Sequence, residues 1–455
     1  MNSMIKKFAT IIFVIIFFFN FYLFINLTAQ TKHNIIHPDW SRNVVIYEAN
    51  IRQYTASGTF KEFERHLPEL KDMGIGIIWL MPINPIGVVN RKGSLGSYYS
   101  VRDYKKVNPE FGTLEDFKHL VNKIHKMNMH VIIDWVANHT SWDNAWTKTH
   151  PEFYNRDSSR NFYPPVPDWT DVIDLNYNNK ELWKYMIDAM SYWIKECDVD
   201  GFRCDVAAMV PAEFWIDARK HLLKIKHIFM LAEASENYLH QAFDMTYNWQ
   251  LKDLINDIAE GKKKAVDIIK LFNEQNKEYA PDDYRMVFTS NHDENSWHGS
   301  VYERLDKAAK TFAVLCGTVK GMPLIYSGQE TGLNKRLRFF DKDTIKWKSD
   351  LMRIIYTKLD SLKIKNQALW NGIAGGRMRF INSGNDDVLV FIRQKEKDKI
   401  LAVFNLSPNL NDVVLKEKLI SGNYLNLFGE KTKTVLPDEI KFHLEPWEYR
   451  VYIKY

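Results

Sequence analysis

Cysteine is scarce. Three residues in 455, Cys197, Cys204 and Cys316, leave at least one unpaired, so no disulfide framework staples the chain, and all three read as small buried apolar side chains. Blocks of like charge are missing too. The 61 basic and 56 acidic residues leave a net charge of +5 and are scattered along the chain, which gives nucleic acid no electrostatic footprint to bind. There is no low-complexity tract, and at 45% hydrophobic and 26% charged the composition excludes disordered and fibrous classes. Only one long apolar run occurs, Phe8 to Leu27, which excludes a polytopic membrane protein.

That single run lies behind Lys6 and Lys7 and ends in Thr28 and Ala29, the layout of an export signal cut near Ala29. Roughly 20 apolar residues also suffice to span a bilayer, so residues 1–29 are expected to be a signal peptide or a membrane anchor. The body is expected in the periplasm or outside the cell, touching a membrane only through that segment. No Cys follows the run, which argues against a lipoprotein.

From Val44 onward short apolar runs alternate with longer amphipathic ones, the rhythm of strand and helix units around a parallel sheet. Strands are expected at Val44 to Ala49, Ile75 to Met81, His130 to Trp135, Gly201 to Asp205, Ile228 to Glu233, Phe243 to Thr246, Arg285 to Ser290 and Pro323 to Tyr326. Between them lie helical patterns such as Phe60, Phe63, Leu67, Leu70 and Met73, closed by Gly74, and Leu114 to Ile124, opened by Thr113 with Asp116. The count predicts a (β/α)8 TIM barrel over residues 38–368. An insertion on the third strand, 140–179, is rich in Trp, Asn and Pro and reads as an irregular segment lining something. Residues 370–455 change character, with alternating runs at Val388 to Ile392, Ile400 to Phe404 and Tyr449 to Ile453, and predict a C-terminal antiparallel β-sandwich.

In such a barrel the chemistry sits at the C-terminal ends of the strands. Ionisable residues gather there: Asp134 and His139 after the third strand, Arg203 and Asp205 on the fourth, Glu233 at the end of the fifth, His292 and Asp293 after the seventh. Arg203 and Asp205, two apart, face the same side, and a guanidinium beside a carboxylate keeps it ionised, as a nucleophile requires. Glu233 follows Phe229 to Ala232, so an apolar wall is expected to raise its affinity for a proton. One ionised and one protonated carboxyl is the division of labour that retaining cleavage of a glycosidic bond demands. Asp293, a third carboxylate, suits sugar hydroxyls and a positively charged transition state.

The segments Asp134 to His139, Gly201 to Asp205, Glu233 with its apolar lead-in, and Asn291 to Asp293 resemble the four signature regions of the α-amylase family, glycoside hydrolase family 13. Gly96 to Tyr104 (GSYYSVRDY), Val172 to Asn176 (VIDLN) and Gly321 to Glu330 (GMPLIYSGQE) add to the likeness, which covers roughly Asn43 to Trp347. The resemblance implies a retaining α-glucan hydrolase working through a covalent glycosyl-enzyme intermediate on starch-derived glucans or maltodextrins. Asp205 would be the nucleophile, Glu233 the acid/base and Asp293 the stabiliser of the transition state. Arg203 would support Asp205, His139 and His292 would bind the sugar at the cleavage point, and Tyr99 would stack on it. Tyr99 is preferred to Tyr98 because Ser100, Val101, Asp103 and Tyr104 then fall in register.

No cofactor is implied for the chemistry. Where better-known α-amylases carry a Lys-His pair after the nucleophile, this chain has Ala208 and Met209; Asn138 matches the family's calcium-ligand asparagine, but with Asp171 it does not make the six to eight oxygens of a calcium site, so a structural calcium is doubtful and its ligands are left unassigned. Three alternatives stand beside hydrolysis. They are transfer of the glycosyl group to another glucan, with Trp135, Trp142, Trp146 and Trp169 as acceptor platform or as the insertion's own core, a membrane-anchored glucan-binding module without catalysis, and a metal-dependent hydrolase. The last wants a His pair on the first strand, which reads Val45, Ile46, Tyr47.

Overall fold

A computed structural model describes residues 35–429 and 433–455. The apolar N-terminal run lies outside the described residues. Eight parallel strands close into a barrel: β1 (Ile46–Ala49), β2 (Ile77–Leu80), β3 (His130–Trp135), β4 (Gly201–Cys204), β5 (Phe229–Ala232), β6 (Met245–Tyr247), β7 (Tyr284–Val287) and β8 (Met322–Tyr326), each hydrogen-bonded to its neighbours in chain order, with β8 returning to β1. All eight expected strands are there, and the architecture is the predicted TIM barrel.

Alternation along each strand separates two cores. Ile46, Ile77, Trp79, Ile132, Phe229, Leu231, Met245, Tyr247, Met286 and Leu324 fill the barrel, while Val45, Ile78, Val131, Phe202, Met230 and Val287 pack outward on the helices. At the C-terminal end the inward positions turn polar, with Glu48, Asp134 and Arg203 fully buried. Close packing of β4 on β5 depends on Gly201, whose φ is +155° and whose Cβ, if it had one, would lie 1.8 Å from the Phe229 carbonyl oxygen.

The helical pattern expected from Phe60 to Met73 divides into Phe60–Glu64 and Leu67–Met73, because Pro68 can only start a helix and Arg65 and His66 turn the chain. Gly74 ends the second in a left-handed conformation at φ +100°. The helix Leu114–Lys126 opens on a complete capping box between Thr113 and Asp116. In the insertion, His139–Ser141 pairs antiparallel with Val172–Asp174, and this ribbon ties the insertion to the barrel mouth.

After the helix Leu351–Lys365 comes an antiparallel sheet of six strands: β9 (Arg377–Phe380), β10 (Val388–Lys395), β11 (Asp398–Asn405), β13 (Gly422–Asn426), β14 (Lys433–Leu436) and β16 (Tyr449–Lys454). A second sheet pairs β12 (Asn411–Lys416) with β15 (Glu439–Leu444). Val388, Val390 and Ile392 point to the second sheet while Leu389 and Phe391 point to the barrel helices, so the large sheet is covered on both faces. Arg393 fastens the two halves, donating to the Val319 and Trp370 carbonyls at 2.8 and 3.0 Å.

Candidate active site

Arg203 is the centre of the barrel mouth. It is fully buried; its Nη1 donates to Asp134 at 2.8 Å and Asp205 at 2.9 Å, its Nη2 forms an ion pair with Glu233 at 2.8 Å, and its Nε donates to the Tyr247 hydroxyl at 3.2 Å. Trp79 caps the guanidinium face 5.0 Å away. Three carboxylates thus share one cation. Burial, and then the neighbouring charge of Glu233, pushes the Asp205 carboxyl well above the usual carboxylate range against the pull of Arg203, so the guanidinium does not by itself keep Asp205 ionised as the sequence led one to expect.

Glu233 is held differently from the sequence expectation. Phe229 and Leu231 lie deeper in the barrel, and the carboxyl meets Arg203 and the backbone N–H of Val206, 2.8 Å from Oε2, rather than an apolar wall. Val206 supplies that N–H from a left-handed backbone, φ +37°, ψ +48°, an outlier for a β-branched residue. Local strain beside Asp205 therefore aims a donor at Glu233 and couples the two carboxyls.

His292 and His139 flank this pair in opposite states. The His292 ring lies 2.6 Å from Glu48 through Nδ1 and 2.7 Å from the Tyr99 hydroxyl through Nε2, with Asp293 at 3.3 Å. Burial opposes its charge, yet Asp293 and Glu48 outweigh burial and raise it to about 9. His139 is buried with no carboxylate in contact; burial lowers it to about 4, and its Nδ1 accepts from Asn138 at 3.3 Å. Asp293 opens a single turn of π-helix, Glu294–His298, whose buried Glu294 is gripped by Lys252 at 2.9 Å.

Tyr99 lies in the pocket, its ring stacked on His292 at 5.4 Å and its hydroxyl donating to Asp134 at 3.1 Å, whereas Tyr98 stacks under Arg52. All seven site residues read from the sequence, Tyr99, His139, Arg203, Asp205, Glu233, His292 and Asp293, therefore meet at one place, and all except Arg203 line a pocket of about 610 Å³. Of the four tryptophans considered as an acceptor platform, Trp169 alone lines that pocket; Trp135 is buried, and Trp146 packs against Tyr104 and Phe153. Sequence reasoning passed over Trp297, Phe339 and Phe340, an aromatic cluster on the rim with ring centroids 5.1–5.7 Å apart. It also passed over Glu48, a carboxylate in an apolar strand.

Among the described residues no group of three or more His, Cys, Asp or Glu is arranged to hold a metal. The residues aligned with a calcium site do not fit one: the Asn138 amide is turned to His139, and Asp171 pairs with the Lys92 ammonium at 3.3 Å.

Fold and site together define a barrel enzyme whose reactive groups are carboxylates clustered on one guanidinium. The family model for the α-amylase catalytic domain matches residues 45–172 and 159–367, and that for the maltogenic amylase C-terminal domain matches 378–451. A maltogenic α-amylase from Thermotoga neapolitana has a solved structure that is 34% identical with a TM-score of 0.83, over 90% of this chain and 98% of that one. Alpha-amylase 3 of Dictyoglomus thermophilum is 25% identical over 91% of this chain and 95% of its own length, and a cyclomaltodextrin glucanotransferase of Geobacillus stearothermophilus is 28% identical over 79% and 56%. The chain belongs to the α-amylase family, whose members are glycosidases and transglycosylases acting on O-glycosyl bonds.

Proposed function

We propose that this protein hydrolyses α-glucosidic bonds in α-glucans with retention of configuration. The observation that carries the reading is the Arg203 fork, which holds Asp205 and Glu233 on adjacent nitrogens at 2.9 and 2.8 Å. Two carboxyls gripped by one guanidinium suit retention, whose pair usually stands about 5–5.5 Å apart, better than inversion, which needs room for a water between them. Asp205 attacks the anomeric carbon and forms the glycosyl-enzyme ester, while Glu233 gives its proton to the leaving oxygen. Glu233 then takes a proton from the water that opens the ester. Only one carboxyl needs a proton, and a cluster of carboxylates around one cation is a place to store it.

Asp293, next to the charged His292, binds the hydroxyls of the reacting sugar and offsets the positive charge that develops on its ring. Tyr99 supplies the flat face beneath that ring, and neutral His139 offers a hydrogen bond without adding positive charge. Transfer to a second glucan shares the ester and differs only in what opens it. The chemistry draws on carboxylates alone and calls for no cofactor, and a structural calcium is the matter for a chelator to test.

Export to the periplasm or beyond is proposed from the N-terminal run. His37 and Trp40 pack at the opposite end of the barrel from the pocket, on Asp244 and His130, so a chain tethered through that segment would present its pocket away from the tether. Product analysis with time on soluble starch, maltotriose and pullulan tests the reading, with and without a calcium chelator. Short maltose-type products that are indifferent to the chelator are expected. Products longer than the maltotriose supplied would make transfer the main reaction, and silence from a folded protein on every glucan would overturn catalysis.

A further inference from the structure

The pocket has an open side and a walled side, and the chemistry fixes which end of the substrate faces each. The leaving group must lie beside the acid, so with Glu233 in that role the departing chain leaves over β4 and β5. There the lip consists of two short turns, Ala207–Met209 and Asn237–Gln241, whose Met209 and Tyr238 are 45% and 42% exposed. The sugar that Asp205 attacks, and every sugar on its non-reducing side, must lie the other way, toward Tyr99, His292 and Phe340.

That way is closed. The loop after β2 is fastened to its neighbours on both sides: Lys92 reaches Asp171 at 3.3 Å and the Asp168 carbonyl in the insertion, while Ser94 donates twice to Asp341, at 2.8 and 2.6 Å, and the Leu95 N–H donates to the Phe340 carbonyl at 3.0 Å. Gly93, at φ +62° and with no room for a Cβ against Phe340, lets the loop lie this close to the segment after β8. The segment after β8 is in turn bound to the one after β7, with Leu337 N–H donating to Asn295 at 2.9 Å and Asn295 to the Lys335 carbonyl at 3.0 Å. Segments following β7, β8, β2 and β3 form one cross-braced wall around the glycone half of the pocket.

We propose that this wall makes the enzyme act on the non-reducing ends of glucan chains, with Lys92 and Asp341 as residues that set this specificity by closing the glycone side. The substrate class is thus the free chain end of a linear maltodextrin or starch chain, and the product is a short oligosaccharide that the pocket can contain. This inference rests on the glucan-hydrolase reading and on Glu233 as its acid.

The test compares maltoheptaose with maltoheptaose capped at its non-reducing terminal sugar by a cyclic acetal, each labelled at the reducing end. The wild-type protein should cut the capped chain at least about 100-fold more slowly than the free one, because a built clash rather than a lost contact rejects it. Lys92→Ala with Asp341→Ala should raise the capped-to-free ratio about 10-fold or more by opening the wall. Equal wild-type rates on both chains overturn the proposal whatever the variant does. Silence on the free chain as well would instead overturn the glucan-hydrolase reading itself, and the wall's role with it.

Discussion

The two ends of the barrel are built from the same residue types in inverse proportion. At the N-terminal end Asp244, just before β6, is surrounded by donors: Arg219 at 2.7 and 3.2 Å, His37 at 2.8 Å and the Met230 N–H at 2.8 Å. Burial alone would raise its carboxyl, but Arg219 and His37 prevail and hold it at about 2. Asp200, before β4, is served likewise by His125, Lys226 and the Val131 N–H, and is held well below the carboxylate range. At the C-terminal end one guanidinium answers to Asp134, Asp205 and Glu233, and Asp205 is pushed up. Donors in excess settle a carboxylate and fasten strands together. Carboxylates in excess leave negative charge unneutralised, which costs stability and gives a developing cation something to meet.

The comparison breaks first at Asp205. Asp205→Asn should lower kcat on any accepted glucan at least about 10⁴-fold, since an amide cannot form the glycosyl ester. The same change should raise Tm at pH 7, by about 1–3 °C. The sign follows from the raised carboxyl. Its ionised form is disfavoured in the folded state, so at any pH above its unfolded value ionisation opposes folding, and the neutral amide removes that opposition. Calorimetry beside initial rates checks both halves. Retained activity would remove Asp205 from the chemistry, and a fall in Tm would show that this end stabilises the fold like the other.

Asp244→Asn is the mirror experiment. It strands Arg219 and His37 in the interior and should cost about 3–5 kcal/mol, while kcat per folded molecule stays within about 2-fold. A carboxyl held at about 2 contributes stability that is complete above its unfolded value and is lost as the pH falls toward its folded one. Urea melts of the wild type should therefore weaken between about pH 4 and pH 2, and the variant should lack that part of the decline. An Asp244→Asn protein as stable as wild type would refute the assignment of this end to stability.

Much of this contrast could be read before the structure, and what could not has a physical reason. Strands of the barrel are legible because strands buried on both faces read as short apolar runs between amphipathic stretches; only ends moved, as with Ile75 to Met81, which shortens to Ile77–Leu80. The ionisable strand ends were legible because several occur together. The surroundings of Glu233 were not. Phe229 and Leu231 report the layers beneath it on its own strand, whereas Arg203, level with Leu231 on neighbouring β4, reaches up to it with its side chain, a lateral relation that no local pattern encodes. Glu48 left a trace, a carboxylate in step with inward-facing Ile46, but nothing in sequence couples it to His292, 244 residues away. The ties of Lys92 and Ser94 join loops remote in sequence and left none.

The finest form of the contrast lies within the mouth itself, between its two histidines. His292 has carboxylates at 2.6 and 3.3 Å and is raised to about 9, and His139 has none and is lowered to about 4. Near neutral pH one ring should be an imidazolium and the other neutral, as ring ¹⁵N resonances would register. Glu48→Gln keeps the shape and a hydrogen-bond acceptor but removes one carboxylate from His292. That ring should then lose its proton at lower pH, by roughly one pH unit, with His139 unaffected. A merely structural Glu48 would change Tm and leave the pH dependence of the His292 resonance in place. Lowering the ratio of carboxylate to cation by one should thus move this corner of the mouth a step toward an ordinary buried histidine, without the loss of stability that the same change brings at Asp244.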